Sequence, residues 1–238
     1  MRLYQNILKN NQKRKCLCMS IVSIVSLPDG IAMAADSRLI KTSTISNDEK
    51  TIIESFTASD NFQKVVLLSK CPVGIAYVGN AFINGKIVSD YIRLFEFNDV
   101  TAEDTPKTVA DKLFAHKYEY IGTTFFVCGY EQDVPYVFFI EKSEIKRRNV
   151  DSDNNILYNL TWGGETEALI KLVNSEPVMN TNECLMPLKD GIDLAEFMVD
   201  LTIQYQRFSD GIQTCGGPID ILVLTKDTAF WYKHKLYK

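Results

Sequence analysis

The chain has 238 residues, 46% hydrophobic and 24% charged, which suits one sizeable folded domain and excludes global disorder. Formal net charge is −4; the first 19 residues hold five bases (Arg2, Lys9, Lys13, Arg14, Lys15) and no acid, leaving 21 bases against 30 acids in the remainder. An acidic body argues against a nucleic-acid partner, whose phosphates are held mainly by lysine and arginine, and no run approaches the 18 apolar residues that would argue for a membrane span.

Residues 1–15 are polar and basic without apolar periodicity, and residues 1–19 read as a leader or a mis-assigned upstream segment ahead of a single domain over 20–238. The stretch from Cys16 to Arg38, CLCMSIVSIVSLPDGIAMAADSR, has two readings. A basic leader, an apolar run and Ala-Met-Ala-Ala resemble a secretory signal cut after Ala34. Alternatively, SIVSIVSL and IAMAAD are two strands joined by Pro28-Asp29-Gly30, three residues with turn chemistry.

Residues 41–61 are polar around TIIESF, an extra strand or a loop excursion. KVVLL (64–68) and VGIAYVG (73–79) read as strands buried on both faces. From Asn80 the period becomes helical, with Ile83, Ile87, Tyr91 and Leu94 on one face. A second helix starts at Thr105-Pro106, an N-cap followed by proline at the first helical position. TTFFVCGY, PYVFFIEK and ILYNLTW are strands, ETEALIKLV is helical, and a long helix runs from about Asp190 to Tyr205. GGPIDILVLTKD and AFWYKHKL close the chain as a hairpin. Segregated blocks of strands and helices favour antiparallel sheets with helices packed outside.

The six cysteines include one close pair, Cys16 and Cys18, and the two histidines, His116 and His234, lie far apart. No metal-ligand spacing results, and no cofactor is expected. Isolated cysteines in apolar runs, such as Cys128, read as reduced core residues and favour a cytoplasmic protein. Phosphate loops, nucleophile elbows and zinc-helix motifs are missing from the sequence, and general bases are scarce. A free α-amino group, with a reference pKa near 8, can fill that role. Met19-Ser20 is a start from which methionine is readily removed, and a chain beginning at Ser20 carries a hydroxyl nucleophile beside its own amine.

Ser20-Ile-Val, Asp29-Gly30-Ile-Ala-Met-Ala-Ala-Asp36-Ser37-Arg38, then Lys64-Val-Val with Gly79 15 residues on, and Cys215-Gly216-Gly217 before a strand, resemble the proteasome β-subunits and their bacterial relatives. The resemblance spans about residues 20–235. It implies an N-terminal nucleophile hydrolase, an α+β four-layer αββα sandwich of two antiparallel sheets flanked by helices. By position it implies Ser20 as nucleophile, Asp36 and Lys64 as an ion pair beneath it, and the Gly79 N–H as oxyanion donor. Asp210 would relay hydrogen bonds behind the nucleophile. Leu39, Tyr77 and Ala81 would line a shallow substrate pocket for small or medium apolar side chains. The likeness further implies a homo-oligomeric ring cutting peptides or unfolded polypeptides, with an ATPase unfoldase as a partner.

The departures are specific. The nucleophile is serine rather than threonine, and Met19 stands where a glycine usually precedes it. The Asp36-to-Lys64 interval is about a dozen residues longer than usual, with Lys50 as a rival lysine. Ile212 occupies the usual relay aspartate's place, and Gly163-Gly164-Glu165 replaces Gly-Ser-Gly. Plainer readings stand beside the functional ones: Ser20 as a strand residue, Asp36-Ser37-Arg38 as a surface turn, Lys64 as an edge lysine and Asp210-Gly211 as turn chemistry. Three proteins fit the sequence: a serine hydrolase, a catalytically silent relative with an assembly role, and an exported protein.

Overall fold

The computed structural model describes residues 20–47, 50–176, 179 and 181–236. The leader reading therefore lies outside the described residues.

The apolar runs form strands where the sequence predicts them. β1 (Ile21–Ser26) and β2 (Ile31–Ala35) are buried throughout and pair antiparallel, from Val22↔Ala35 to Ser26↔Ile31. The Pro28-Asp29-Gly30 turn is closed by the Leu27 N–H donating to the Gly30 carbonyl at 2.9 Å. TIIESF belongs to a strand: β3 (Leu39–Asn47) and β4 (Lys50–Ser59) form a separate two-stranded hairpin. β5 (Val65–Leu67) and β6 (Gly74–Gly79) follow.

The segment after Gly79 departs from the sequence reading. Phe82–Ile83 (β7) and Lys86–Ile87 (β8) form a small hairpin around Asn84 and Gly85, both at positive φ, and α1 starts only at Val88 and runs to Asp99. Asn-Gly between two short strands is the preferred two-residue hairpin turn. It overrides the helical spacing of Ile83 and Ile87. α2 (Pro106–Ala115) starts where predicted, with Thr105 accepting from the Thr108 N–H and Thr108 returning a bond to the Thr105 N–H.

β9 (Thr123–Glu131), β10 (Val134–Ile140) and β12 (Asn159–Gly164) match three predicted strands, and a short β11 (Ile145–Arg147) extends the second of them. α3 (Glu167–Val173) and α4 (Leu188–Arg207) precede the closing hairpin of β13 (Asp220–Leu224) and β14 (Ala229–Lys233).

The strands build two five-stranded sheets, ordered β12-β1-β2-β13-β14 and β11-β10-β9-β6-β5, and all their described pairings are antiparallel. Three apolar clusters hold them. Val22, Ile24 and Met33 of the first sheet meet Ala76, Phe126 and Val137 of the second. On the outer side of the second sheet, Ile75, Tyr77 and Phe125 pack with Ile92 and Phe95 of α1 and Val109 and Leu113 of α2. On the outer side of the first, Ile21, Val25 and Ala34 pack with Leu169 of α3 and Ala195, Met198 and Val199 of α4. The fold is thus mixed α+β with antiparallel sheets and four described helices. No described helix is long and apolar enough to cross a membrane.

Candidate active site

Strand alternation decides which residues meet at the head of β1. Ser20 precedes the first β1 residue, and Asp36 follows the last β2 residue, so the hairpin sets Asp36 opposite Ile21, one step from Ser20. Asp36 is 1% exposed, yet each of its oxygens is occupied. Oδ1 accepts the Ile21 N–H at 3.0 Å and the Lys64 ammonium at 2.7 Å. Oδ2 accepts the Gly216 N–H at 3.0 Å and the Arg38 N–H at 3.2 Å. A buried carboxylate is tolerated only when paired and hydrogen-bonded in this way. Lys64 comes from the residue before β5, is itself 2% exposed, and reaches Asp36 from the second sheet.

Around this pair the chain is clasped. Arg38 makes a two-point contact with Asp60, Nε to Oδ1 at 2.7 Å and Nη2 to Oδ2 at 3.0 Å, which raises the guanidinium pKa and lowers that of the carboxylate. Ser37 is fully buried; its N–H donates to the Gly216 carbonyl at 2.9 Å, and its carbonyl accepts the Phe62 N–H at 2.8 Å.

A second buried ion pair backs the same turn. Lys235, after β14, contacts the Asp220 carboxylate and donates to the Ser37 hydroxyl at 2.9 Å, while its N–H donates to Asp220 Oδ1 at 2.9 Å. Neighbouring His234 stacks edge-on against Trp231 and accepts the Leu236 N–H at Nδ1, 3.2 Å away. Burial, with smaller opposed effects of Asp220 and Lys235, pushes the imidazole below its usual range. A depressed pKa means that the fold prefers the neutral ring. Stability is therefore complete above the ordinary histidine pKa of about 6.5 and falls as pH drops through and below it. His234→Asn is expected to flatten that acid limb in thermal melts taken from pH 8 to pH 5.

Two glycines fix the close approaches. Gly164 pairs with Ile21 at φ +100°, and a Cβ there would lie 1.9 Å from the Ser20 carbonyl oxygen. Gly164→Ala is expected to cost at least about 2 kcal/mol in denaturant unfolding, since left-handed strain adds to a backbone collision. Gly79 closes β6 at φ +98°, with a Cβ position 2.2 Å from the Gly122 carbonyl oxygen. Its neighbour Val78 lies 3.3 Å from the Cβ position of Gly164, which sets Gly79 one residue from the contact that holds Ser20.

Thus Asp36 and Lys64 meet one residue from Ser20, and Gly79 ends β6 beside Val78, which approaches Gly164. Asp210 does not join them: it is exposed in the turn after α4. The Lys50 side chain lies outside the described residues. Leu39 and Ala81 are half-buried, and Tyr77 is 1% exposed. The Tyr77 hydroxyl donates to the Gln63 carbonyl at 3.0 Å, and burial raises its pKa well above 10. A cleft of about 560 Å³ beside Gly79 is lined by residues such as Val78, Lys117, Tyr118, Thr124 and Lys142.

A polar chain that the predicted set leaves out runs behind the site. The Glu165 N–H donates to the Ser20 carbonyl at 2.8 Å. Its Oε1 accepts the Thr214 hydroxyl at 3.2 Å. Gln206 donates to that hydroxyl at 3.0 Å and accepts the Cys215 N–H at 2.8 Å. Glu165 marks a departure from Gly-Ser-Gly in the sequence; only its place beside Ser20 gives it meaning. Cys215 is buried, and burial, then Asp36, raises its thiol well above the ordinary range.

Comparison with known proteins corrects the family suggested by the sequence. No family model matches the chain, and no curated protein matches it. Among solved structures the chain is similar to Anbu from Hyphomicrobium sp. strain MC1 in a C2 crystal form: 16% identity, TM-score 0.57, 90% of this chain and 85% of that one covered. A Gly-1 mutant of the same Anbu matches at TM-score 0.58 with the same identity and coverage. The neighbours are thus Anbu proteins, and neither a family model nor a curated relative supports the resemblance to proteasome β-subunits. At this identity the likeness is one of fold.

Proposed function

We propose that the protein is an N-terminal serine hydrolase of proteasome-like, Anbu-type fold, arranged as a four-layer αββα sandwich and acting on peptides or unfolded polypeptides. One observation carries the reading: the Lys64–Asp36 pair, buried at both ends and bonded to the Ile21 N–H immediately after Ser20. A structural ion pair can sit anywhere in a core. This one sits one residue from Ser20, whose hydroxyl and amine would be the reacting groups.

In the mature chain the Ser20 hydroxyl oxygen attacks the peptide carbonyl carbon and passes its proton to the Ser20 α-amine. The oxyanion takes the Gly79 N–H. Collapse breaks the C–N bond, the α-ammonium returns the proton to the leaving amine, and an ester remains on Ser20. Water, deprotonated by the same amine, then releases the acid and restores the hydroxyl. The Lys64 ammonium lowers the cost of negative charge on the Ser20 oxygen. Substrate lies extended beside β3 and the end of β6, by strand addition. A closed ring of copies would confine the sites, and an ATPase unfoldase would feed them. The unpaired thiols of Cys71, Cys128 and Cys215 favour a reducing, cytoplasmic location.

The exposed position of Asp210 favours a second reading, a silent relative with an assembly role. Both readings meet one experiment. The protein is isolated from its native host, its N-terminus is sequenced, and it is treated with an electrophile that traps N-terminal nucleophiles. The hydrolase reading expects a start at Ser20 and label on Ser20. A start upstream with no label supports the silent relative, and a start at Ala35 removes both.

A further inference from the structure

Three features at the head of β1 converge on Glu165. The first is direction. In an antiparallel ladder a residue presents its N–H and its C=O to the same partner. Ser20 gives its carbonyl to the Glu165 N–H, one step beyond the last ladder pair, Ile21↔Gly164. The Ser20 nitrogen therefore lies on the side of β1 that faces the Glu165 backbone.

The second is charge. Asp36 is matched by Lys64, and Asp60 by Arg38. Among the described residues Glu165 has no ion-pair partner, and its one described side-chain bond comes from the neutral Thr214 hydroxyl. Burial, with Glu167 and Asp36 acting in the same direction, raises its pKa above the usual glutamate value. A half-buried carboxylate in that condition lacks a cation. The third is anchorage: Thr214, itself held by Gln206 of α4, ties the Glu165 carboxylate to the loop whose Gly216 N–H holds Asp36.

We propose that Glu165 is the counter-ion of the Ser20 α-ammonium, holding the amine beside the Ser20 hydroxyl and setting the pH at which it gives up its proton. The inference rests on one part of the hydrolase reading, a mature chain that begins at Ser20. Glu165 acts through the amine and is a positioning residue. An adjacent carboxylate favours the charged amine and raises its pKa, while the nearby Lys64 ammonium opposes it. Glu167, Asp36 and the Cys215 thiol are the other titratable groups facing this corner.

The test compares the wild type, Glu165→Gln and Glu165→Asp, each isolated from the native host with its N-terminus sequenced. Two profiles are taken against pH: acetylation of the Ser20 amine by acetic anhydride, followed by mass spectrometry, and kcat/KM on an unstructured fluorogenic peptide. Glu165→Gln is expected to move the midpoint of amine labelling, and the acidic limb of kcat/KM, down by about one pH unit. Glu165→Asp is expected to keep most of the wild-type midpoint. An unchanged midpoint in Glu165→Gln overturns the inference, and turnover without a shift does so while sparing the hydrolase. A labelling shift without turnover in any variant supports the counter-ion and removes the hydrolase. A mature terminus other than Ser20 removes both.

Discussion

Replacing Ser20 with alanine is expected to lower peptide hydrolysis by at least about 10³-fold while leaving the thermal midpoint within a few degrees of wild type. The substitution removes one hydroxyl. It leaves the backbone contacts of residue 20 with Glu165 and the whole Asp36 network, in which no Ser20 side-chain atom takes part. Hydrolysis should therefore fail without unfolding, and acylation of residue 20 by trapping electrophiles should vanish with it. Full activity in the alanine variant would remove Ser20 from the mechanism. A collapsed melting curve would mean that its hydroxyl is structural.

The second large effect is expected at Lys64. Lys64→Met deletes the cation of a pair whose side chains are 2% and 0% exposed. Removing one partner of a buried pair leaves an uncompensated charge and costs about 3–5 kcal/mol. Asp36 keeps three backbone N–H donors, so the lower half of that range is expected in urea unfolding. Adding Asp36→Asn removes the orphaned charge, and the double variant should recover about 1–2 kcal/mol of the loss. Under the proposed mechanism neither variant should hydrolyse peptide, because both lack the Lys64 ammonium. A cost for Lys64→Met of less than about 1 kcal/mol would contradict the pair's role as a buried keystone.

The strand runs, the Pro28-Asp29-Gly30 turn and the Thr105-Pro106 cap were legible because each depends on a few adjacent residues. The Asp36–Lys64 pair was expected only because the family resemblance implied it. The hairpin at Asn84-Gly85 was missed because Ile83, Ile87, Tyr91 and Leu94 satisfy a helical stripe whether or not the first two are helical. A strong local turn defeats such a pattern. The Ser37–Lys235 bond joins residues 198 apart, and nothing in an antiparallel strand announces what its last residues will touch. Glu165 was visible only as a departure. Its significance comes from the β1–β12 register, which periodicity does not supply. Three short motifs likewise led past the Anbu fold to a narrower family than the comparisons support.

The Arg38–Asp60 clasp has a consequence for the extra length between Asp36 and Lys64. Its two partners flank β3 and β4, so it closes that excursion at its base, and the Phe62-to-Ser37 bond seals it again. The positions of Asp36 and Lys64 are thereby set below the clasp and become independent of how far the hairpin extends. Loop-closure entropy grows only with the logarithm of length, so added or removed residues at the tip change stability little. The hairpin is therefore expected to accept insertions at its far end with little change in stability.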